Sequence, residues 1–394
     1  MEGVTRRHSD GYVPALDGIR GIAIALVVGF HYFAWPANGD LGVDLFFVLS
    51  GFLITRLLLE EYSRRDRISL RAFYYRRVLR LAPALAVLLT AAGIMALLVK
   101  NNTRQVRLES ILYALTYSTN IAYTLGAKVA SETSHLWSLS VEEQFYLVWP
   151  LSLVLLLKRG LSSRALLLIV VLAAAASAVD RAALALTGAP GVGFRTDSVA
   201  VSLLVGNAFA ILAARRPEEP SGREEARYTW LLIPSIAVIA AIVLLPGSRS
   251  WRSYGGSTLL AVCMGWVIYT VSRKEARIPI LSAGLEFKPL VWLGVISYSL
   301  YLWHIPVSVA LAQFKMNSRL GGLLQPTRLA LALSAALGSY ALVERPFLKL
   351  KWRFSEQSRA SLGRAVPPHL RAADRPLTAG IVAEGIGGGG NDSL

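Results

Sequence analysis

Ten long apolar runs dominate this 394-residue sequence and favour a bundle of membrane-spanning helices over any other fold. A transmembrane helix needs about 20 predominantly apolar residues to cross the hydrocarbon core of a bilayer. Hydrophobic residues make up 54% of the chain and charged residues 17%, and the mean hydropathy is +0.49. The sequence therefore predicts an all-α polytopic membrane protein with about ten transmembrane helices, near residues 18–36, 41–60, 81–99, 140–157, 164–187, 197–214, 229–246, 256–272, 290–313 and 324–343.

The basic residues predict how the chain is oriented in the lipid bilayer. Lys and Arg number 41 against 25 Asp and Glu, which gives a formal net charge of +16. They crowd the short segments between the apolar runs, as membrane orientation requires, so we expect no nucleic-acid partner. Short basic loops face the cytoplasm, which predicts a cytoplasmic amino terminus and, after ten spans, a cytoplasmic carboxy terminus.

One further stretch, residues 108–125, has the length of a span but is polar and rich in tyrosine. Counting it as a span would move the basic segment 158–164 and most later basic segments to the outer side, against the charge rule. We therefore predict that 108–125 is a re-entrant or interfacial segment on the outer side.

Three parts make up the predicted organisation of the chain. Residues 1–13 form a cytoplasmic amino-terminal segment, and residues 14–354 form the transmembrane domain. Residues 355–394 are rich in Pro, Gly, Ser and Arg and hold too few apolar residues to pack, which predicts a disordered cytoplasmic tail. Cys263 is the single cysteine, so neither a disulfide nor a cysteine-based metal cluster is expected.

Two ionisable residues in the first apolar run are candidates for a functional site. An ionisable residue inside a span usually faces the bundle interior or a water-filled cavity. Arg20 and His31 are eleven positions apart, so a helix separates them by roughly 16 Å and turns both to nearly the same face. The first span therefore carries a cation near one end and an imidazole near the other.

Further ionisable residues are predicted to lie at the height of His31. The predicted orientation places Asp44, the pair Glu142–Glu143 and His304 in the outer half of the bundle. Histidine with a carboxylate neighbour suits general acid–base catalysis, so we predict His31 as the base, oriented by Glu143. Purely structural histidines, and helix capping by the acidic residues, remain alternatives.

A basic cluster lies between the second and third spans, on the predicted cytoplasmic side. Arg77 and Arg80 are three positions apart, so they are neighbours on a helix face. Forked guanidinium groups at this spacing are good phosphate ligands, although on spacing alone the positive charge of a cytoplasmic loop is the favoured explanation. No span contains the His-x-x-His or carboxylate–His spacing of a metal site, so none is predicted.

The motifs resemble those of the acyltransferase-3 family of integral-membrane O-acyltransferases. The resemblance runs from Pro14 to Phe347 and is carried, in chain order, by LDGIRGIAI followed by a histidine, GVDLFFVLSGFLI, FYYRRVLRLAP, HLWSLSVEEQFYLVWP, ISYSLYLWHIP and ERPF. The Arg-x10-His pattern of the family falls on Arg20 and His31, and its Arg-x-x-Arg pattern falls on Arg77 and Arg80. The chain resembles the short form, without the carboxy-terminal esterase-like domain of longer members.

The resemblance implies an O-acyltransferase of the bacterial cytoplasmic membrane. It implies acyl-coenzyme A as the donor substrate, bound near Arg20, Arg77 and Arg80, and no permanently bound cofactor. The expected acceptor is a hydroxyl of a carbohydrate, such as an envelope glycan or a glycolipid. An acyltransferase that tailors a macrolide-like antibiotic is an alternative within this class.

A proton-coupled transporter is the alternative from another class of protein. Intramembrane His and Glu also build proton relays, so the same residues fit that function. Transporters usually show related halves or paired broken helices, and the sequence shows neither.

Overall fold

A computed structural model describes residues 12–98, 103–215, 222–245, 249–273, 279–312 and 323–350. Apart from residues 12 and 13, the predicted amino-terminal segment lies outside these ranges, and so does the predicted tail 355–394. Within the described ranges every regular element is helical. The α-helices are α1 (Pro14–Phe33), α2 (Gly42–Arg65), α3 (Leu70–Leu98), α4 (Arg104–Leu115), α5 (Thr119–Thr124), α6 (Leu136–Lys158), α7 (Ser163–Leu186), α8 (Thr196–Arg215), α9 (Gly222–Leu244), α10 (Gly256–Ser272), α11 (Pro279–Leu285), α12 (Lys288–Val295), α13 (Ser297–Ala312) and α14 (Leu324–Ser339).

Length and composition identify the helices that can cross a membrane. In the described part of the chain seven helices pass this test, namely α1, α2, α3, α6, α7, α8 and α14, with α2 counted from Gly39 and α14 counted through the helical residues up to Leu350. Helices α12 and α13 form an eighth span if their pair, bent by 70°, is counted as one. The apolar part of α9, Trp230–Leu244, and the whole of α10 are shorter apolar segments. Each predicted segment falls on one of these helices, which confirms the all-α polytopic fold, and the count of about ten is approximate.

The polar stretch 108–125 is not one continuous helix. It is divided between α4, with 12 residues, and α5, with 6 residues. At 1.5 Å per residue α4 is only about 18 Å long, too short for a hydrocarbon core of about 30 Å. The side of the membrane on which this segment lies remains a prediction.

Helices α2 and α8 pack at very short range because glycines lie where they cross. A Cβ atom added to Gly51 would lie 2.0 Å from the carbonyl oxygen of Leu203, and one added to Gly206 would lie 2.1 Å from that of Val48. Small residues allow such close backbone approach between membrane helices. This contact fixes α2, which carries Asp44 in its first turn, against the rest of the bundle.

The link between α1 and α2 is short and brings two predicted site residues to one end of the bundle. Residues 34–41 alone separate the two helices, so the end of α1 adjoins the start of α2. His31 lies in the last turn of α1, and Asp44 lies in the first turn of α2. The hydroxyl of Tyr32 donates a hydrogen bond of 2.6 Å to the carbonyl oxygen of His304, which ties α13 to the same place.

Candidate active site

A cavity of about 410 Å³ lies where α1 ends and α2 begins. Its walls include His31 from α1, Asp44 from α2 and His304 from α13. These are three of the four residues predicted to act in catalysis, and the structure brings them to one space. Their catalytic roles remain predictions.

The imidazole of His31 is oriented by the backbone of its own helix. Its Nδ1 lies 2.8 Å from the carbonyl oxygen of Val27. A carbonyl oxygen only accepts, so Nδ1 is the donor of this bond, and in the neutral ring Nε2 keeps a free lone pair. The ring lines the cavity and is accessible from it, so Nε2 is available as a general base.

A third histidine, which the sequence analysis missed, completes a cluster with these two. The ring centroid of His304 lies 5.2 Å from that of His31 and 5.3 Å from that of His135. His135 lies directly before the first residue of α6 and lines the same cavity. Burial lowers the pKa of His135 to about 3, so its ring is neutral at pH 7.

Each imidazole of the cluster donates one N–H hydrogen bond to a backbone carbonyl oxygen. His135 donates through Nε2 to the carbonyl oxygen of Leu302 at 3.1 Å, and His304 donates through Nδ1 to that of Tyr301 at 2.6 Å. The remaining nitrogens, Nδ1 of His135 and Nε2 of His304, are buried without a partner. With each ring neutral, the cluster offers acceptor nitrogens only, and it needs a donor such as a hydroxyl group or an added proton. Over the described ranges, no group of three or more His, Cys, Asp or Glu has the geometry to hold a metal ion.

Two carboxylates also line the cavity. Asp44 accepts a hydrogen bond of 3.2 Å from the hydroxyl of Ser202, and Asp40 forms an ion pair of 2.7 Å with Arg252. Neither carboxylate makes a hydrogen bond to His31. The backbone of α1 takes the orienting role that was expected of a carboxylate.

The structure differs from the prediction that Glu143 orients His31. The carboxylate of Glu143 accepts from Nε and NH2 of Arg77, at 2.9 and 2.7 Å, and does not line the cavity. The reason is that α6 begins at Leu136, four residues before the predicted start of this span. Glu143 follows His135 by eight residues, which places it roughly 12 Å farther along the helix.

The Glu143 side chain belongs to a polar layer between the cavity and the opposite end of the bundle. Here Cζ of Arg77 lies 3.1 Å from the ring centroid of Tyr146, a close cation–π contact. One helical position away, Glu142 accepts a hydrogen bond of 3.0 Å from the hydroxyl of Ser50. This layer joins α2, α3 and α6.

The three arginines predicted to hold a donor lie together, away from the histidines. Arg20 forms an ion pair of 3.2 Å with Asp17, and Arg80 is close enough to Arg20 and Arg77 for their charges to interact. None of the three lines the cavity of the histidines. Arg20 and His31 are separated by roughly 16 Å along α1, and α1 therefore connects the arginine cluster with the histidine cluster.

The cavity also has aromatic walls and two arginines that the sequence analysis did not single out. Trp137 and Phe194 line it, with ring centroids 5.1 Å apart. Arg181 and Arg252 line it as well. Arg181 lies inside the predicted span 164–187, where an ionisable residue signals a functional site, so the sequence did contain this signal.

The protein is thus a multi-pass helical membrane protein with a histidine cavity at one end and an arginine cluster at the other. The family model described as an acyltransferase domain matches residues 13–344. The chain therefore belongs to this acyltransferase family, which confirms the resemblance.

Curated relatives agree with this assignment. The chain is 33% identical over 316 residues to the peptidoglycan O-acetyltransferase of Listeria monocytogenes, covering 77% of this chain and 50% of that protein. It is 30% identical over 321 residues to a Bacillus subtilis chain named provisionally as a peptidoglycan O-acetyltransferase, with the same two coverages of 77% and 50%. A Staphylococcus aureus chain named provisionally as an O-acetyltransferase is 32% identical over 376 residues, covering 89% of this chain and 61% of that one.

The chain thus spans about half to three fifths of the length of the curated relatives it matches. No solved structure matches it.

Proposed function

We propose that this protein transfers an acyl group from acyl-coenzyme A to a hydroxyl group of a carbohydrate of the bacterial envelope. Family membership supports acyl transfer, and relatives named as peptidoglycan O-acetyltransferases support an envelope glycan as the acceptor. The observation that carries the proposal is the accessible ring of His31, whose Nδ1 is bonded to the backbone and whose Nε2 is left for a ligand in a cavity large enough for a small molecule.

In the proposed reaction His31 acts as the general base. Its Nε2 takes the proton of the acceptor hydroxyl while the hydroxyl oxygen bonds to the thioester carbonyl carbon. The carbon–sulfur bond then breaks, and the leaving thiolate of coenzyme A takes the proton from His31. A positioned base typically contributes about 10²- to 10⁴-fold to such a rate. A direct transfer of this kind needs no acyl-enzyme intermediate, although a covalent acyl-histidine would balance equally well.

The arginine cluster is the proposed binding site of the donor. Coenzyme A is a cytosolic polyanion, and Arg20, Arg77 and Arg80 provide guanidinium groups suited to its phosphates. Its flexible arm would then run along α1 toward His31. In this proposal the arginine end faces the cytoplasm, which agrees with the positive-inside rule, and the histidine end faces the outer side.

The histidine cavity is the proposed binding site of the acceptor. Its aromatic walls, Trp137 and Phe194, suit the apolar face of a sugar ring. The acceptor nitrogens of His135 and His304 need a hydrogen-bond donor, which a second hydroxyl of a sugar would supply. Asp44 provides a further acceptor in the same cavity.

The two alternatives make different demands on the site. A proton-coupled transporter would use the same histidines, but membership of an acyltransferase family favours the enzyme. An acyltransferase that modifies a macrolide-like antibiotic would use the same mechanism with a larger, more apolar acceptor. Charged groups such as Arg181 and Arg252 in the cavity favour a carbohydrate.

The proposal is tested with the purified full chain in lipid nanodiscs. We expect acetyl-coenzyme A and fragments of envelope glycan to give a product heavier by one acetyl group, detected by mass spectrometry, with release of free coenzyme A. A vesicle assay with a pH-sensitive dye serves as the comparison. Proton flux without any acylated product would contradict the proposal in favour of a transporter.

A further inference from the structure

A buried arginine faces the histidine cavity from α7, and two of its nitrogens have no partner among the described residues. Arg181 lines the cavity and is only 8% exposed. Its Nε and NH1 atoms are buried without a hydrogen-bond partner, and it forms no ion pair with any residue that the structure describes. A guanidinium group stays charged in proteins, so burying it without a partner is costly. The site is therefore incomplete without an anion.

The neighbouring acidic groups do not neutralise Arg181. Asp40 is occupied by Arg252, whose NH1 lies 2.7 Å from it, and Arg252 also donates through NH2 to the side-chain oxygen of Asn38 at 2.6 Å. Asp44 attracts Arg181 electrostatically but does not reach ion-pair distance. Asp180, the preceding residue on α7, makes no ion pair with Arg181 either.

The cavity thus contains two arginines in different states. Arg252 is paired by the protein itself through NH1 and NH2, with Nε left without a partner among the described residues, and its ion pair with Asp40 links the segment before α2 to the segment before α10. Arg181 forms no ion pair with a described residue and keeps its Nε and NH1 donors free, while it lines the space that also holds His31. A guanidinium group has a planar fork of donors that matches the two oxygens of a carboxylate or phosphate.

We infer that Arg181 binds an anionic group of the acceptor, a carboxylate or a phosphate, while a hydroxyl of the same molecule lies at His31. This inference rests on the proposed function and narrows it, because the acceptor would then be an acidic carbohydrate. One cavity of this size accommodates a single small ligand that contacts both residues. The guanidinium group would select such acceptors over neutral sugars.

The test measures acceptor binding without any acyl donor, so it does not depend on catalysis. Calorimetry on the full chain in nanodiscs compares glucuronate with glucuronamide, which has the same shape but no charge, and with glucose 6-phosphate. We expect wild-type protein to bind at least one anionic sugar about 10-fold or more tightly than glucuronamide, the scale of a hydrogen bond to a charged group. Preference for glucuronate or for glucose 6-phosphate distinguishes a carboxylate from a phosphate.

Substitutions assign the preference to Arg181. Arg181→Gln should abolish the preference and leave glucuronamide binding unchanged, and Arg181→Lys should restore part of it. Arg164→Gln, an exposed arginine on the same helix, is the matched control and should keep the preference.

Two results would overturn the inference. One is wild-type protein that binds neither anion more tightly than glucuronamide. The other is an Arg181→Gln variant that retains the preference, or loses binding of all three sugars equally as a structural counter-ion would. A wild-type protein that binds anions through Arg181 yet transfers no acyl group would instead contradict the proposed function.

Discussion

His31 and His304 lie with their ring centroids 5.2 Å apart, one at the end of α1 and the other in the middle of α13. Both rings donate to backbone carbonyl oxygens, at 2.8 Å for His31 and 2.6 Å for His304. The contact makes His304 a positioning residue for the proposed base, because its completely buried ring packs against His31.

Replacing His304 is therefore expected to slow acyl transfer without weakening donor binding. His304→Ala removes the ring against which His31 packs, and a displacement of about 1 Å at a reacting group can cost about 100-fold in rate. We expect a kcat lower by about 10- to 100-fold and an unchanged KM for acyl-coenzyme A. Val309→Ala, on the same helix, is the control. A wild-type kcat for His304→Ala would show that His31 is held by Val27 alone.

Arg80→Ala is expected to raise the KM for acyl-coenzyme A by about 10-fold or more, with a smaller change in kcat. Phosphate contacts far from the reacting carbon contribute mainly uniform binding, and hydrogen bonds to charged groups contribute about 1.5–3 kcal/mol. The difference should shrink as salt rises. Arg71→Ala, an exposed arginine in the first turn of α3, is the control. Equal KM values for wild type and Arg80→Ala would contradict a role of Arg80 in donor binding. Its charge would then be explained by the positive-inside rule alone.

The pair of Arg77 and Glu143 is expected to act as one unit in donor binding. Because Glu143 holds Arg77 at 2.7 Å, Glu143→Gln should raise the KM for acyl-coenzyme A more than it lowers kcat. In a double-mutant cycle with Arg77→Gln, the coupling energy should be about 0.5–3 kcal/mol, as for residues in contact. A loss of kcat with an unchanged KM in Glu143→Gln would contradict this role and would indicate instead that Glu143 assists His31 in catalysis.

Gly51→Ala is expected to destabilise the bundle. The added Cβ atom would lie 2.0 Å from the backbone oxygen of Leu203, so α2 and α8 must move apart. Overpacking of this kind typically costs about 1–3 kcal/mol, which should appear as a lower melting temperature of the detergent-solubilised protein. In Gly338→Ala, the matched control, the Cβ atom meets nothing within 4 Å, and no loss is expected. Equal melting temperatures for both variants would contradict the close approach.

The sequence predicts the helices and part of the site because both depend on local regularities. Apolar length locates the spans, and loop charge with the rise per residue predicts that His31, Asp44 and His304 lie at one height. The structure places all three at one cavity. These three residues are far apart in the sequence, but the depth of each in the membrane follows from the number of residues between it and the end of its helix.

The errors arise where a helix boundary or a partner depends on tertiary contacts. The predicted start of the fourth span at residue 140 was four residues late, which put Glu143 at the cavity and left His135 outside it. Helix ends are the least certain part of a prediction from sequence. The pairing of Glu143 with Arg77 follows from how helices pack, which periodicity does not encode, and so does the absence of a partner for Nε and NH1 of Arg181 among the described residues.

The most direct test of the account is acyl transfer by His31→Gln, measured in single turnover with the purified chain in nanodiscs. Phe33→Ala, an exposed neighbour on the same helix turn, serves as the control for folding and should react like wild type. We expect His31→Gln to bind acyl-coenzyme A with wild-type affinity but to transfer its acyl group about 10²- to 10⁴-fold more slowly. A wild-type rate of transfer in His31→Gln would contradict the central claim that His31 is the base.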